Sequence, residues 1–288
     1  MGAVNRVVSS ILDVVLAPFE LLGIELALVL VSALFGILAI LAFKYLSWQK
    51  GIKDVKGKIK GHMIAIRIYQ DDLGIVFSSV IKVFLRNLQY LGLNLVPLLP
   101  LSAPFALILA QFVVRYAYAP LPVDDSGVAR QGALRRRGTL IEVRMKEGQE
   151  AEVSRLKIRL PDGLQARSPL VRNSAKGVTF IEIGATSPLK GVIEFSIDGQ
   201  VVGTKDVVAG GEPTRKMQPE RVAGFWSSWL WPAEDPFGED SPLELVRFVY
   251  PDRELVFLPE GRAGVLLTFF LSSILFGLAV LKPLGVQI

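Results

Sequence analysis

Residues 26–43, LALVLVSALFGILAILAF, run eighteen positions without a charge between Glu25 and Lys44. As a helix rising about 1.5 Å per residue, that run nearly matches the ~30 Å of hydrocarbon in a bilayer. Two further stretches have the same character. Residues 91–114 (LGLNLVPLLPLSAPFALILAQFVV) are uncharged but interrupted by Pro97, Pro100 and Pro104. Residues 263–281 (AGVLLTFFLSSILFGLAVL) lie between Arg262 and Lys282. The reading is three transmembrane helices over 24–46, 91–116 and 263–282. The middle one is kinked, because membrane helices tolerate proline where neighbours satisfy the freed carbonyls.

The whole chain agrees with this. Of 288 residues, 51% are apolar, and mean hydropathy is +0.44. A net charge of +5 is too mild to point to nucleic acid, and no nucleic-acid partner is expected. The chain has no cysteine and a single histidine, His62. Disulfides, thiolate metal sites and cysteine nucleophiles are therefore excluded. There is no phosphate-binding glycine loop, no Gly-x-Ser-x-Gly and no His-Glu-x-x-His. The expectation is a protein that is not an enzyme and has no cofactor or metal.

Charge in the short loops orients the spans. Residues 44–72 hold Lys44, Lys50, Lys53, Lys56, Lys58, Lys60 and Arg67 against Asp54, Asp71 and Asp72. Residues 1–25 hold Arg6 against Asp13, Glu20 and Glu25. The basic segment, read as a helix over 48–70, is then cytoplasmic, and Lys53, Lys56, Lys58, Lys60 and Arg67 form its contact surface. The N-terminus lies outside and the C-terminus inside. No small-residue cleavage motif follows the first span, so it reads as an anchor. These signs together suggest a bacterial inner membrane, with the lipid bilayer as the first partner.

Residues 72–90 (DLGIVFSSVIKVFLRNLQY) admit a fourth span, which would reverse the side of everything that follows. Ser78, Ser79, Lys82, Arg86 and Gln89 recur at spacings of three and four, however, and line one polar stripe. That pattern suits an amphipathic helix lying in the interface. Asp71 and Asp72 read as charge at its N-terminus.

Between the second and third spans the texture changes. Residues 119–262 carry 20 basic and 21 acidic residues. Short alternating runs cover 139–146, 152–160, 177–183, 191–197 and 201–208, with turns at Pro161-Asp162-Gly163, Asp198-Gly199 and Gly210-Gly211. Alternation at this spacing predicts an inserted all-β sandwich over 119–212, outside the cytoplasm, with room for a protein partner. Asp198-Gly199 between two such runs is a strong hairpin signal. Residues 213–262 form a separate aromatic and proline-rich segment. Its Trp226, Trp229 and Trp231, with Trp48 beside the first span, read either as a belt at the headgroups or as core plus loop. Arg135-Arg136-Arg137 reads as a solvated loop run.

Polar residues beside the second apolar block are the other candidates. Arg86, Asn94 and Gln111 read as sharing an interior face, with Lys82 and Ser102 near it, and together they would hydrate a substrate groove. Lys82 and Arg115 read also as snorkelling to headgroups. Ser32-x-x-x-Gly36 and Ser273-x-x-x-Gly277 would let the first and third spans approach closely.

This order resembles the three-helix core of the YidC/Oxa/Alb insertase superfamily, especially its minimal archaeal and ER-type relatives. The residues that carry the likeness are ILDVVLAPFELLG (11–23) and FKYLSWQKGIKDVKGKIKGHM (43–63), where Ile52, Val55, Ile59, Met63 and Ile66 repeat at three and four. The likeness covers residues 1–118 and 263–288. It implies assistance to membrane-protein insertion, with membrane-protein substrates or the ribosome on the cytoplasmic side, and places the family's groove arginine nearest to Arg86. The sequence departs from the family in showing one short basic helix broken by Gly57 and Gly61, and in placing its soluble domain after the second span. The rival expectation is an accessory subunit that binds a partner through the β-domain.

Overall fold

Alternating apolar and polar positions favour a half-buried strand, and about twenty apolar positions in a row a span. The computed structural model shows both. It describes residues 2–123, 138–211, 214–224, 227–256 and 258–286; Arg135–Arg137 and Trp226 lie outside the described residues. The chain divides into two compact units, one of residues 1–27 and 107–267, the other of 28–106 and 268–288.

In the second unit, helix α2 (Ile24–Leu46), the first part of α5 (Leu98–Tyr116) and most of α7 (Gly261–Leu284) carry the apolar stretches. These are the three helices, among the described residues, long and apolar enough to cross a membrane. Phe35, Phe105, Phe269 and Phe270 knit them together, with ring centroids 5.1–5.6 Å apart. The small-residue pairs meet as their spacing suggests. A Cβ at Gly36 would lie 2.1 Å from the Ser273 carbonyl oxygen, and one at Gly277 would lie 3.2 Å from that of Gly36. Helix α7 ends where Gly285 takes φ 63° and Val286 N donates to Leu281 O, a Schellman close. Lys44 Nζ donates to the Leu284 carbonyl at 2.8 Å.

Helix α3 (Gln49–Ile68) and helix α4 (Leu73–Leu95) form a hairpin through a short turn at 69–72. Asp72 caps α4, its Oδ1 accepting from Gly74 N and Ile75 N. Ile52, Val55, Ile59, His62 and Ile66 are among the less exposed residues of α3, and Val76, Ser79, Val83, Arg86 and Tyr90 among those of α4. Spacings of three and four on both helices give the seam. The basic segment is thus one arm of a pair, not an isolated helix, and Met63 (57% exposed) falls off the seam.

The expected boundary between 90 and 91 also moves. Helix α4 runs to Leu95 and α5 starts at Leu98. Pro97 and Pro100 fall at the start of α5, where amide hydrogens have no acceptor within the helix, so only Pro104 interrupts it.

The first unit begins with α1 (Gly2–Glu20), which Gly23 (φ 105°) terminates. Its β part holds two antiparallel sheets. The larger sheet has the order β3-β5-β1-β9-β8 with β4 also on β5, and the smaller is β2-β6-β7. The strands are β1 (Thr139–Met145), β2 (Leu156–Arg159), β3 (Leu164–Ala166), β4 (Val171–Asn173), β5 (Val178–Ala185), β6 (Leu189–Ile197), β7 (Gln200–Ala209), β8 (Glu220–Val222) and β9 (Leu243–Arg247). Asp198 (φ 51°) and Gly199 (φ 86°) make the two-residue turn of the β6–β7 hairpin. Inward residues Ile141, Val143, Ile183, Ile193, Phe195 and Val246 are fully buried.

The division at 212 does not hold. Strand β9 lies between β1 and β8 in the large sheet, so the sheet needs residues 213–262. The sequence hides this because β9 is short and carries Glu244 and Arg247, and the acidic, proline-rich run before it reads as loop. The cut at 118 fails too, since α1 and the end of α5 belong to the β-bearing unit.

Candidate functional site at the end of the second span

Ser9 and Asp13 on α1 are four residues apart, as are Gln111 and Arg115 on α5, so each pair projects from one helix face. The two pairs meet. Arg115 Nη1 lies 2.5 Å from Asp13 Oδ1, and the Arg115 side chain is 1% exposed. Gln111 Nε2 donates to Ser9 Oγ at 2.8 Å, and Arg115 Nη2 donates to Ser9 O at 3.2 Å. Tyr116 Oη donates to Glu20 Oε1 at 2.9 Å. The segment after β7 closes over them. Arg215 donates to Asp13 O at 2.8 Å, Lys216 Nζ lies 3.6 Å from Asp13 Oδ2, and Met217 N donates to Val114 O.

Burial pushes the Asp13 carboxyl up. The hydrogen bond and charge of Arg115, with Lys216 and Arg215, outweigh that and hold it below the usual carboxylate range. Burial and the neighbouring Arg115 charge pull Lys216 down.

A second buried pair lies behind this one. Lys205 on β7 is fully buried and pairs with Glu234, also donating to Gln218 O at 2.6 Å. The Phe248 ring sits 5.0 Å from its Nζ. Desolvation drives Lys205 down and Glu234 up, each toward its neutral form. Glu234 also accepts from Asp206 N, so it guards the outer edge of β7. Other groups guard the same edge: Ser241 donates to Val202 O, Arg221 to Thr204 O, and Val208 N donates to Tyr250 Oη. An edge engaged in this way does not pair with another chain.

Two clefts, of about 300 and 320 Å³, share Lys216, Ala233 and Glu234 as walls. One runs along β7 past Lys190 and Asp206; the other opens beside Arg6, Ser9 and Ser10 of α1. Among the described residues no three His, Asp or Glu side chains gather to hold a metal.

Gln111 belongs to the Arg115 network in the first unit; Lys82, Arg86, Asn94 and Ser102 belong to the second. Arg86 Nη1 donates to Gln89 Oε1, Asn94 Nδ2 to Tyr90 O and Ser102 Oγ to Leu99 O, each within its own helix. Lys82 is exposed. Arg115, expected to snorkel, is instead buried against Asp13, because a carboxylate on α1 offers it a closer partner than a headgroup. Lys53, Lys58, Lys60 and Arg67 stand exposed along α3, and Lys56 is half-buried. The tryptophans divide: Trp48 is 63% exposed with its ring over Gly51, while Trp231 is half-buried 5.9 Å from the Arg262 guanidinium and Trp229 is half-buried.

Asp13, Lys205 and Glu234 escaped sequence reading. The matched four-residue spacing of Ser9–Asp13 and Gln111–Arg115 was the available signal for the first; a lone lysine in an alternating strand gave none for the others. No family model, curated protein or solved structure matches this chain.

Proposed function

We propose that the protein is a non-catalytic accessory subunit of a bacterial inner-membrane complex, which holds a rigid β-domain outside the cytoplasm to bind a partner protein. The supporting observation is the way the chain enters and leaves the β-domain. Both chain connections are paired: Tyr118 bridges Asp252, Ala119 N donates to Pro251 O, and Arg253 N donates to Ala117 O, each backbone bond at 2.9 Å. Leu121 continues alongside Ala209 of β7. A flexible linker leaves a domain loosely tethered; here both connecting stretches are hydrogen-bonded into the β-bearing unit itself, which supports a positioning role.

The test places a photo-crosslinking residue in cells at Val171 or Val201, which are 56% and 59% exposed on the β-domain. Protein adducts of discrete size are expected from both, and none from Leu38 of α2. A β-domain that captures no protein would remove this reading.

The α3–α4 hairpin between the first and second spans favours a second reading, insertase-like assistance to membrane-protein assembly. There Arg86 and Asn94 line a hydrated path that lowers the cost of moving a polar segment into the bilayer. Its signature is crosslinking of nascent membrane proteins from positions 86 and 94 above the level at Leu38.

A further inference from the structure

Helix α1 has two opposed faces. Ser9, Leu12 and Leu16 are buried, and Asp13 and Glu20 turn the same way toward Arg115 and Arg215. Val7, Ile11, Val14, Leu21 and Leu22 are 57–88% exposed, with Pro18 also exposed among them. At 100° per residue Val7, Ile11, Val14 and Pro18 form one continuous stripe, roughly opposite the packed face, and Leu21 and Leu22 follow in the turn after the helix. The stripe itself holds no charge: Asp13 and Glu20 are on the other side, and Arg6 at its flank reaches Asp235.

We propose that this stripe of α1 lies in the plane of the membrane, seated in the lipid headgroup and acyl boundary of the leaflet where α2 begins. Two observations select lipid as the occupant. Exposed Leu21 and Leu22 in the turn after α1, and exposed Leu26 in the first turn of α2, carry the apolar surface on to the start of a helix apolar enough to span. Pro18 lies inside the helix and lacks an amide hydrogen, which leaves the Val14 carbonyl without its helical donor. Such a carbonyl is costly in dry hydrocarbon but finds water at the headgroups. The boundary satisfies both demands at once. This inference rests on the membrane part of the proposed function and not on its partner.

Because the chain has no cysteine, single-cysteine variants carry an environment-sensitive fluorophore without background. Labels at Ile11→Cys, Val14→Cys, Leu38→Cys and Ser154→Cys are compared in purified full-length protein in phosphatidylethanolamine/phosphatidylglycerol nanodiscs. Lipids brominated on their acyl chains should quench positions 11 and 14 several-fold more than position 154, and aqueous iodide should quench them several-fold less. Iodide quenching at 11 and 14 equal to that at 154 overturns the proposal. Protection from both quenchers overturns it as well, because the stripe would then be covered by protein. No partner is present in these samples, so the result is independent of crosslinking from the β-domain.

Discussion

The Arg115 guanidinium and the Asp13 carboxylate meet at 2.5 Å across the contact of α5 with α1, although 102 residues of chain separate Ser9 from its own partner Gln111 in the same network. A charge as buried as Arg115 is stabilised only by a well-placed opposite charge and hydrogen bonds. Removing Asp13 strands it. Asp13→Leu should destabilise the first unit by about 3 kcal/mol, at the low end of the range for a broken buried pair because the carboxylate reaches water. Adding Arg115→Met should recover most of the loss. Thermal unfolding of the single and double variants in detergent measures this; equal effects for both would show that the pair carries no coupling.

The same carboxylate sets a pH dependence. Its folded pKa lies below the ordinary aspartate value of 3.8, so its contribution is complete above that value and declines as pH falls through the lower folded value. Between neutrality and pH 5 the hold on α1 should not change. Below about pH 4, near the ordinary carboxylate pKa, it should weaken. Hydrogen exchange of α1 amides across this range reports it, and Asp13→Asn should flatten the profile.

Lys205 and Glu234 make the opposite case, since burial pushes each toward neutrality. Lys205→Met alone leaves Glu234 buried with its raised pKa and should cost about 3–5 kcal/mol. The double variant Lys205→Met/Glu234→Leu should fall within about 1–2 kcal/mol of the native protein, because a buried pair is often replaceable by apolar residues. Glu234→Leu should also free Asp206 N at the edge of β7, so the check is paired: unfolding for stability, and concentration-dependent association for the uncovered edge.

How much of this was legible follows from the range of each signal. The three apolar helices, the Asp198-Gly199 turn and the Gly36–Ser273 approach depend on composition or spacing within one element, so the sequence carries them directly. The place of β9 between β1 and β8 depends on pairing across about 100 residues, and LELVR (243–247) has no strict alternation to announce it. The polar residues around the second block looked alike in sequence. Only tertiary contact shows that Gln111 reaches Ser9, whereas Arg86 and the Asn94 amide nitrogen bond within their own helix.

The helix crossing gives a sharper test of the membrane unit. Gly36 has the Ser273 backbone against it, so any side chain there must separate α2 from α7. Gly36→Val should lower thermal stability in nanodiscs by several degrees, whereas Gly57→Ala on α3, where a Cβ meets nothing within 4 Å, should leave it unchanged or raised. An equal response from the two variants would mean that α2 and α7 are not in close contact in the bilayer.

The side of the membrane is decided by charge, and it can be measured on the intact chain. Lys58 is exposed on α3, in a segment where seven basic residues outnumber three aspartates; Ser154 is exposed on the β-domain, beyond the second span. Moving lysines across a bilayer is unfavourable enough that the basic segment should stay inside, which leaves the β-domain outside. In intact spheroplasts a membrane-impermeant maleimide should label Ser154→Cys and spare Lys58→Cys until the cells are lysed. The reverse pattern would place the β-domain in the cytoplasm, which requires α4, with its Lys82 and Arg86, to cross as a fourth span. It would also move the partner of the β-domain to the inner face.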